Sequence, residues 1–152
     1  MIICPKCSNN KFNEQNVNIK CLNCNEVYYK NKKFIDFIIY RKSNKLEELT
    51  KKLWGEDLFK NLFCTPVHYT QIKNTFKDNW NNSFKGKLIE IGCGSGSDTK
   101  YFSNYNQITH LTSIDIGNNT YNLYKYFEQK NNVSIYRASA LCLPFTNNCF
   151  DT

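Results

Sequence analysis

The chain has 152 residues, a formal net charge of +7 and 41% hydrophobic residues. This composition supports a packed core in one ordinary domain or two small ones, and it excludes wholesale disorder. A basic balance is typical of proteins that contact nucleic acid. Here the positive charge is almost all lysine, with Arg41 and Arg137 the only arginines. Because arginine is the preferred residue for phosphate and base contacts, the charge alone does not establish a nucleic-acid partner.

The amino terminus carries no apolar core of a signal peptide, because Cys4, Pro5, Lys6 and Cys7 interrupt residues 1–10. No run approaches the roughly 20 apolar residues that span a bilayer. We therefore expect a cytoplasmic protein that does not bind membranes. In a reducing compartment, paired cysteines point to metal binding and not to disulfides.

Residues 1–40 begin with two CxxC pairs, Cys4 with Cys7 and Cys21 with Cys24, separated by thirteen residues. Tetrahedral zinc is bound by four such thiolates, and the intervening length is enough for a hairpin. The spacing predicts a zinc ribbon over residues 1–40. We expect the zinc to be structural, because four protein ligands leave no open position for water.

Residues 41–86 have leucines near helical spacing and predict a helical linker. The pattern then changes to alternating strands and helices. It predicts strands at residues 88–91, within 108–116 and at 133–136, helices at 97–105 and 121–130, and the start of a fourth strand at 149–151. Such alternation favours parallel strands with right-handed crossovers. The predicted fold class is therefore α/β, with a partial Rossmann-like sheet over residues 87–152.

A glycine-rich turn joins the first of these strands to its helix, with glycines at positions 92, 94 and 96. Glycines allow positive φ and a close approach of the backbone to a ligand, and the helix that follows presents unpaired N–H groups. Asp115 ends the next strand, 19 residues after Gly96. An acidic side chain at that place can accept both hydroxyls of a ribose. The turn therefore predicts a nucleoside-cofactor site.

Two observations decide between cofactors. The dinucleotide pattern GxGxxG requires a third glycine at position 97 or 99, where Ser97 and Thr99 stand. Glu90 lies two positions before the first glycine. A carboxylate suits the ammonium and sulfonium charges of S-adenosylmethionine and suits a pyrophosphate badly. We therefore expect S-adenosylmethionine, with an NAD-dependent enzyme as an alternative.

Four motifs in order, at residues 90–96, 113–116, 143–145 and 149–151, resemble those of class I S-adenosylmethionine-dependent methyltransferases, particularly the type 11 group. The resemblance covers about residues 85–152. Residues 4–38 are similar to the Trm112-like zinc ribbons that some of these enzymes carry. The resemblance implies a methyltransferase, and this fold normally has seven strands. Since the sequence supplies three and the start of a fourth, we expect an amino-terminal fragment that is inactive on its own.

The resemblance also implies roles for individual residues. Glu90 would face the methionine amino group, and Asp115 would bind the ribose hydroxyls. Ile116 and Leu141 would cover the two faces of the adenine. Ser139 stands where many members have an aspartate that binds the adenine amino group. The full implied cofactor-binding set is Glu90, Gly92, Cys93, Gly94, Gly96, Asp115, Ile116, Ser139, Ala140 and Leu141.

The sequence does not identify the methyl acceptor, the catalytic residues or the oligomeric state. A small molecule and RNA are both open as acceptors. Ribosomal-RNA guanine-N1 methyltransferases also join a zinc ribbon to this fold, and Ala138 and Ser139 before residues 143–145 are similar to theirs. A hypothesis of another class is a zinc ribbon that docks nucleic acid or protein beside an inactive α/β scaffold.

Overall fold

The computed structural model describes residues 2–38, 49, 52, 61–64, 71 and 83–152. Leu49 and Lys52 are helical, as the leucine spacing predicts, and Gln71 is also helical, whereas residues 61–64 form a turn. Residues 83–86 of the predicted linker are also described, and the rest of it lies outside the described residues. The domain boundaries near residues 40 and 86 stay a prediction. The elements are strands β1 (Phe12–Glu14), β2 (Asn18–Cys21), β3 (Val27–Asn31), β4 (Phe34–Asp36), β5 (Gly86–Ile91), β6 (Ile108–Asp115) and β7 (Val133–Arg137), with helices α1 (Ser97–Phe102) and α2 (Thr120–Phe127).

The seven strands within the described part of the chain form one sheet, in the order β1-β2-β3-β4-β7-β6-β5. The strands β1 to β4 are an antiparallel meander, and β5, β6 and β7 pair in parallel. The two parts meet where β4 pairs in parallel with β7. The predicted α/β class with parallel strands is confirmed. The sequence did not predict that the amino-terminal strands would extend the same sheet.

One face of the parallel strands is covered by the two helices. Leu88, Leu111 and Ile135 alternate with residues of the other face, and they pack against Phe102 of α1 and Leu123 of α2. Side chains two positions apart share a face of a strand, so this apolar row follows from the alternation in the sequence. The helices therefore fix the position of the turns that precede them.

The cysteine pairs pack against the opposite face of the sheet. Cys4 and Cys21 are buried in one cluster with Tyr28, Phe37 and Ile114. Near this cluster the amino-terminal residues are hydrogen-bonded to the segment after β7, because Ile3 N donates to the carbonyl of Pro144 at 2.9 Å. The ribbon and the parallel strands thus share a hydrophobic core.

The element boundaries differ slightly from those predicted. The first helix ends at Phe102 and not at 105, because the amides of Asn104 and Tyr105 bond to carbonyls only three residues back. Residues 149–151, where a fourth strand was predicted to begin, do not form a strand. The chain nevertheless runs beside β5 here, because Asp151 N donates to the carbonyl of Lys87 at 2.8 Å and Ile89 N donates to the carbonyl of Thr152 at 2.9 Å. Within the described residues, no helix is long and apolar enough to cross a bilayer.

Candidate cofactor site and metal centre

The glycine turn after β5 is held against the end of β6. Gly92 N and Cys93 N both donate to the carbonyl of Ile114, at 2.8 and 3.0 Å. Gly92 has φ of +82°, and a Cβ there would meet no atom within 4 Å. The backbone of Gly92 therefore borders open space in a conformation that favours glycine. This is the cradle that a ligand approaching the backbone requires.

Two other residues of the turn point inward. A Cβ on Gly96 would lie 2.2 Å from Leu123 Cδ1, so this glycine lets the turn pack on α2. The side chain of Cys93 is buried in the helix-side core, where burial and the charges of Glu90 and Asp115 raise the pKa of its thiol well above the ordinary value. Cys93 is therefore a neutral thiol, and its side chain supports the turn from beneath.

Glu90 lies near the end of β5 and is half-buried. Its Oε2 accepts hydrogen bonds from Thr99 Oγ1 at 2.6 Å and from Ser113 Oγ at 2.7 Å. These donors come from α1 and from β6, so the carboxylate joins three elements. Hydrogen bonds from hydroxyl groups stabilise a charged carboxylate. The site therefore holds a fixed negative charge beside the glycine turn.

Asp115 ends β6 and its carboxylate bridges two turns. Oδ2 accepts from Gly94 N at 2.9 Å, and Oδ1 accepts from Gly117 N at 2.7 Å. A carboxylate offers about four lone-pair positions, so these two bonds leave acceptor capacity for hydroxyl groups of a ligand. Asp115 both shapes the site and remains able to bind.

The segment after β7 completes the edge. Ala138 N donates to the carbonyl of Asp115 at 2.9 Å, which brings residues 139–141 beside it. Ser139 Oγ accepts from Leu141 N at 3.2 Å. The exposed fraction of the residue is 87% for Leu141 and 51% for Ile91. Apolar side chains exposed at one edge are the surface that a planar base can cover. Ala140 is exposed on the same segment.

The predicted residues therefore meet at the carboxyl ends of β5, β6 and β7, the edge at which parallel α/β sheets bind ligands. Ile116 lies there too, and its carbonyl accepts a hydrogen bond from Arg137 Nε at 2.8 Å. The donor and acceptor groups fit a ribose and an ammonium group. The direct contact of each residue with a cofactor stays a prediction.

The sequence analysis missed the residues that support this site. Thr99 and Ser113 hold Glu90, and both are buried. The signal available in the sequence was a hydroxyl residue in each of the two elements beside Glu90, Thr99 in α1 and Ser113 in β6. Residues 61–64 also reach the turn, because Phe63 N donates to the carbonyl of Ser95 at 2.7 Å and the Ser95 hydroxyl donates to the carbonyl of Cys64. Nothing in the sequence indicated that contact, since it joins distant segments.

The four cysteine thiols of the two CxxC pairs converge. Their Sγ atoms all lie within 4.8 Å of one another, and the Cys4–Cys24 and Cys7–Cys21 pairs are each 3.6 Å apart. A tetrahedral zinc with bonds of about 2.3 Å separates its sulfur ligands by about 3.8 Å. The thiol positions therefore fit one tetrahedral zinc ion.

The pKa values of two of these thiols move in opposite directions. Hydrogen bonds from the Asn23 side chain and the Asn9 backbone lower the pKa of Cys7 to about 6. Burial raises the pKa of Cys24 to about 12. A metal ion binds thiolates, so its binding displaces the proton of Cys24. The Tyr28 hydroxyl lies 3.0 Å from Cys4 Sγ and is buried with it.

The face of the parallel strands away from the helices carries a cavity of about 320 Å³ beside β5, β6 and β7, and it contains none of the predicted site residues. His110 lies in it, with Nε2 2.9 Å from Ser134 Oγ. Burial and the charge of Lys87 lower the pKa of His110, so its ring is neutral at pH 7.

Comparison with known proteins bears on the same edge of the sheet. Residues 89–152 match a family model described as a methyltransferase domain. The matched stretch contains Glu90, the glycine turn, Asp115 and residues 139–141. The match supports a class I S-adenosylmethionine-dependent methyltransferase domain in this part of the chain. No curated protein matches the chain.

Proposed function

We propose that this protein is an S-adenosylmethionine-dependent methyltransferase whose cofactor lies at the carboxyl ends of β5, β6 and β7. The observation that carries the proposal is the carboxylate of Asp115, which holds the amides of Gly94 and Gly117 on two turns. Both turns fall within the stretch that matches a methyltransferase domain.

Different residues would bind different parts of the cofactor. Asp115 accepts hydrogen bonds from the ribose hydroxyls, and Glu90 attracts the methionine ammonium group through its fixed charge. Ile91, Ile116 and Leu141 supply apolar surface for the adenine. When bound, the cofactor supplies a methyl group on a positively charged sulfur. The protein's part is to hold the acceptor and that sulfur in line and to exclude water.

The four cysteines would bind one structural zinc ion. The thiol spacing fits tetrahedral coordination, and four thiolates close the coordination sphere. Pairing of β4 with β7 supports a ribbon that is built into the methyltransferase sheet over one that acts as a separate docking module. Small-molecule and RNA acceptors are both compatible with the proposal. Transfer of labelled methyl groups to total RNA or to a metabolite extract distinguishes the two.

Asp115→Asn tests the cofactor site. The amide retains one oxygen acceptor but loses the charge and replaces the other acceptor with a donor. Hydrogen bonds to charged groups contribute about 1.5–3 kcal/mol, so we expect affinity for S-adenosylhomocysteine to fall at least about tenfold in calorimetry. Glu14→Gln removes a carboxylate from exposed β1 and serves as the control. Equal affinity in the Asp115 variant and the wild type would contradict the ribose assignment.

A further inference from the structure

A buried ion pair connects the amino-terminal ribbon to the candidate cofactor site. Asp36 ends β4 and Arg137 ends β7, and the two are partners in the parallel register. Arg137 Nη1 lies 3.1 Å from Asp36 Oδ2, and the side chains are only 8% and 16% exposed. A buried guanidinium is costly without a charged partner, so Arg137 depends on Asp36.

Arg137 also bonds to the candidate site itself. Its Nε donates to the carbonyl of Ile116 at 2.8 Å. Ile116 lies between Asp115, which is predicted to bind the ribose, and Gly117. The amide of Gly117 donates to the Asp115 carboxylate at 2.7 Å. The Arg137 side chain therefore fixes the peptide between Ile116 and Gly117, one residue beyond Asp115.

The position of Asp36 is in turn fixed within the ribbon. Its Oδ1 accepts from Ile38 N at 2.9 Å, and the next residue, Phe37, donates its amide to the carbonyl of Arg137 at 2.8 Å. The ribbon thus holds both the side chain and the backbone of this arginine. A continuous path of hydrogen bonds runs from β4 through Arg137 to the turn after β6.

We propose that Arg137 is a positioning residue for the cofactor site and that Asp36 of the ribbon holds it in place. Cofactor affinity then depends on the ribbon through the contact of Asp36 with Arg137. This inference rests on the proposed function, since it assigns a positioning residue to that same site.

The test compares zinc-loaded wild type with Asp36→Asn, Arg137→Met and Lys32→Gln. Asn retains the acceptor for Ile38 N and removes the charge that faces Arg137. Lys32 pairs with Glu128 of the α2 C-cap at 2.6 Å and is 67% exposed, so its variant breaks a ribbon contact remote from the site. The measurements are the dissociation constant of S-adenosylhomocysteine and the amide resonance of Gly117, both below the unfolding temperature.

We expect Asp36→Asn to weaken binding about tenfold and to shift the Gly117 resonance, with Lys32→Gln within twofold of wild type. A lowered melting temperature with unchanged affinity and resonance in Asp36→Asn would show a purely structural ion pair and overturn the inference. If Arg137→Met does not fold, Asp36→Asn decides alone. Failure of the wild type to bind S-adenosylhomocysteine would instead overturn the proposed function, and an unmoved Gly117 resonance would separately refute the role of Arg137.

Discussion

At the scale of single residues, Tyr28 shows how the ribbon supports its cysteines. It is 2% exposed, its ring packs 5.2 Å from that of Phe37, and its hydroxyl lies 3.0 Å from Cys4 Sγ. A metal-bound thiolate carries no proton, so with zinc present the hydroxyl is the donor. Such outer partners orient metal ligands and increase their affinity.

Tyr28→Phe should therefore weaken zinc binding while leaving the ring packing in place. Loss of an outer-shell partner typically costs about 10–100-fold in metal affinity, and we expect about tenfold in competition with a chelator. Tyr29→Phe is the matched control, because that neighbouring tyrosine is 46% exposed. Equal zinc affinity in the Tyr28 variant and the control would show that the hydroxyl does not act on the metal.

Two glycines of the turn after β5 should respond differently to alanine. Both have positive φ, +82° for Gly92 and +85° for Gly96. An alanine in this backbone conformation lowers the free energy of unfolding by about 1–2 kcal/mol. Only Gly96 has a neighbour in the way, because its Cβ would lie 2.2 Å from Leu123 Cδ1. We expect Gly96→Ala to lose about 1–3 kcal/mol more of unfolding free energy than Gly92→Ala, measured by urea denaturation. Equal losses would contradict the packing role of Gly96.

At the scale of elements, the sequence predicted β5, α1, β6, α2 and β7 because apolar runs alternate with helical periodicity and the turns between them are short. It predicted the metal site because CxxC spacing is local. The pairing of β4 with β7 was not predicted, because it joins segments about a hundred residues apart and leaves no periodic signal. Arg137 was noted only as one of two arginines for the same reason: its partners are distant in sequence.

The ribbon should lose its metal on acidification. Cys7 has a pKa lowered to about 6, so it is a thiolate at neutral pH and becomes protonated below about 6. Protons compete with zinc for thiolates, hence affinity falls as the pH falls and rises as the pH rises. Below about pH 6 a further proton competes with zinc at Cys7, so we expect zinc affinity to fall more steeply with decreasing pH below pH 6 than between pH 7.5 and 6. Competition with a chelating dye reports the affinity, and the same slope above and below pH 6 would contradict the pKa assignment.

At the scale of the whole molecule, one sheet carries both a four-cysteine site and the glycine turn of the stretch that matches a methyltransferase domain. Four thiolates and one zinc ion would together contribute −2, so the formal charge of +7 would fall to +5. From the sequence alone, Glu90 and Asp115 could be placed at one edge because strand ends meet there. The supporting bonds from Thr99, Ser113 and Arg137 could not, since they depend on packing between elements.

The identity of the cofactor is the central claim, and calorimetric titration of the zinc-loaded protein tests it most directly. S-adenosylhomocysteine and NAD are titrated separately, because a glycine-rich turn by itself is compatible with either compound. The fixed charge of Glu90 and the amides held by Asp115 predict one S-adenosylhomocysteine per chain and no measurable binding of NAD. Binding of NAD in preference to S-adenosylhomocysteine would contradict the account.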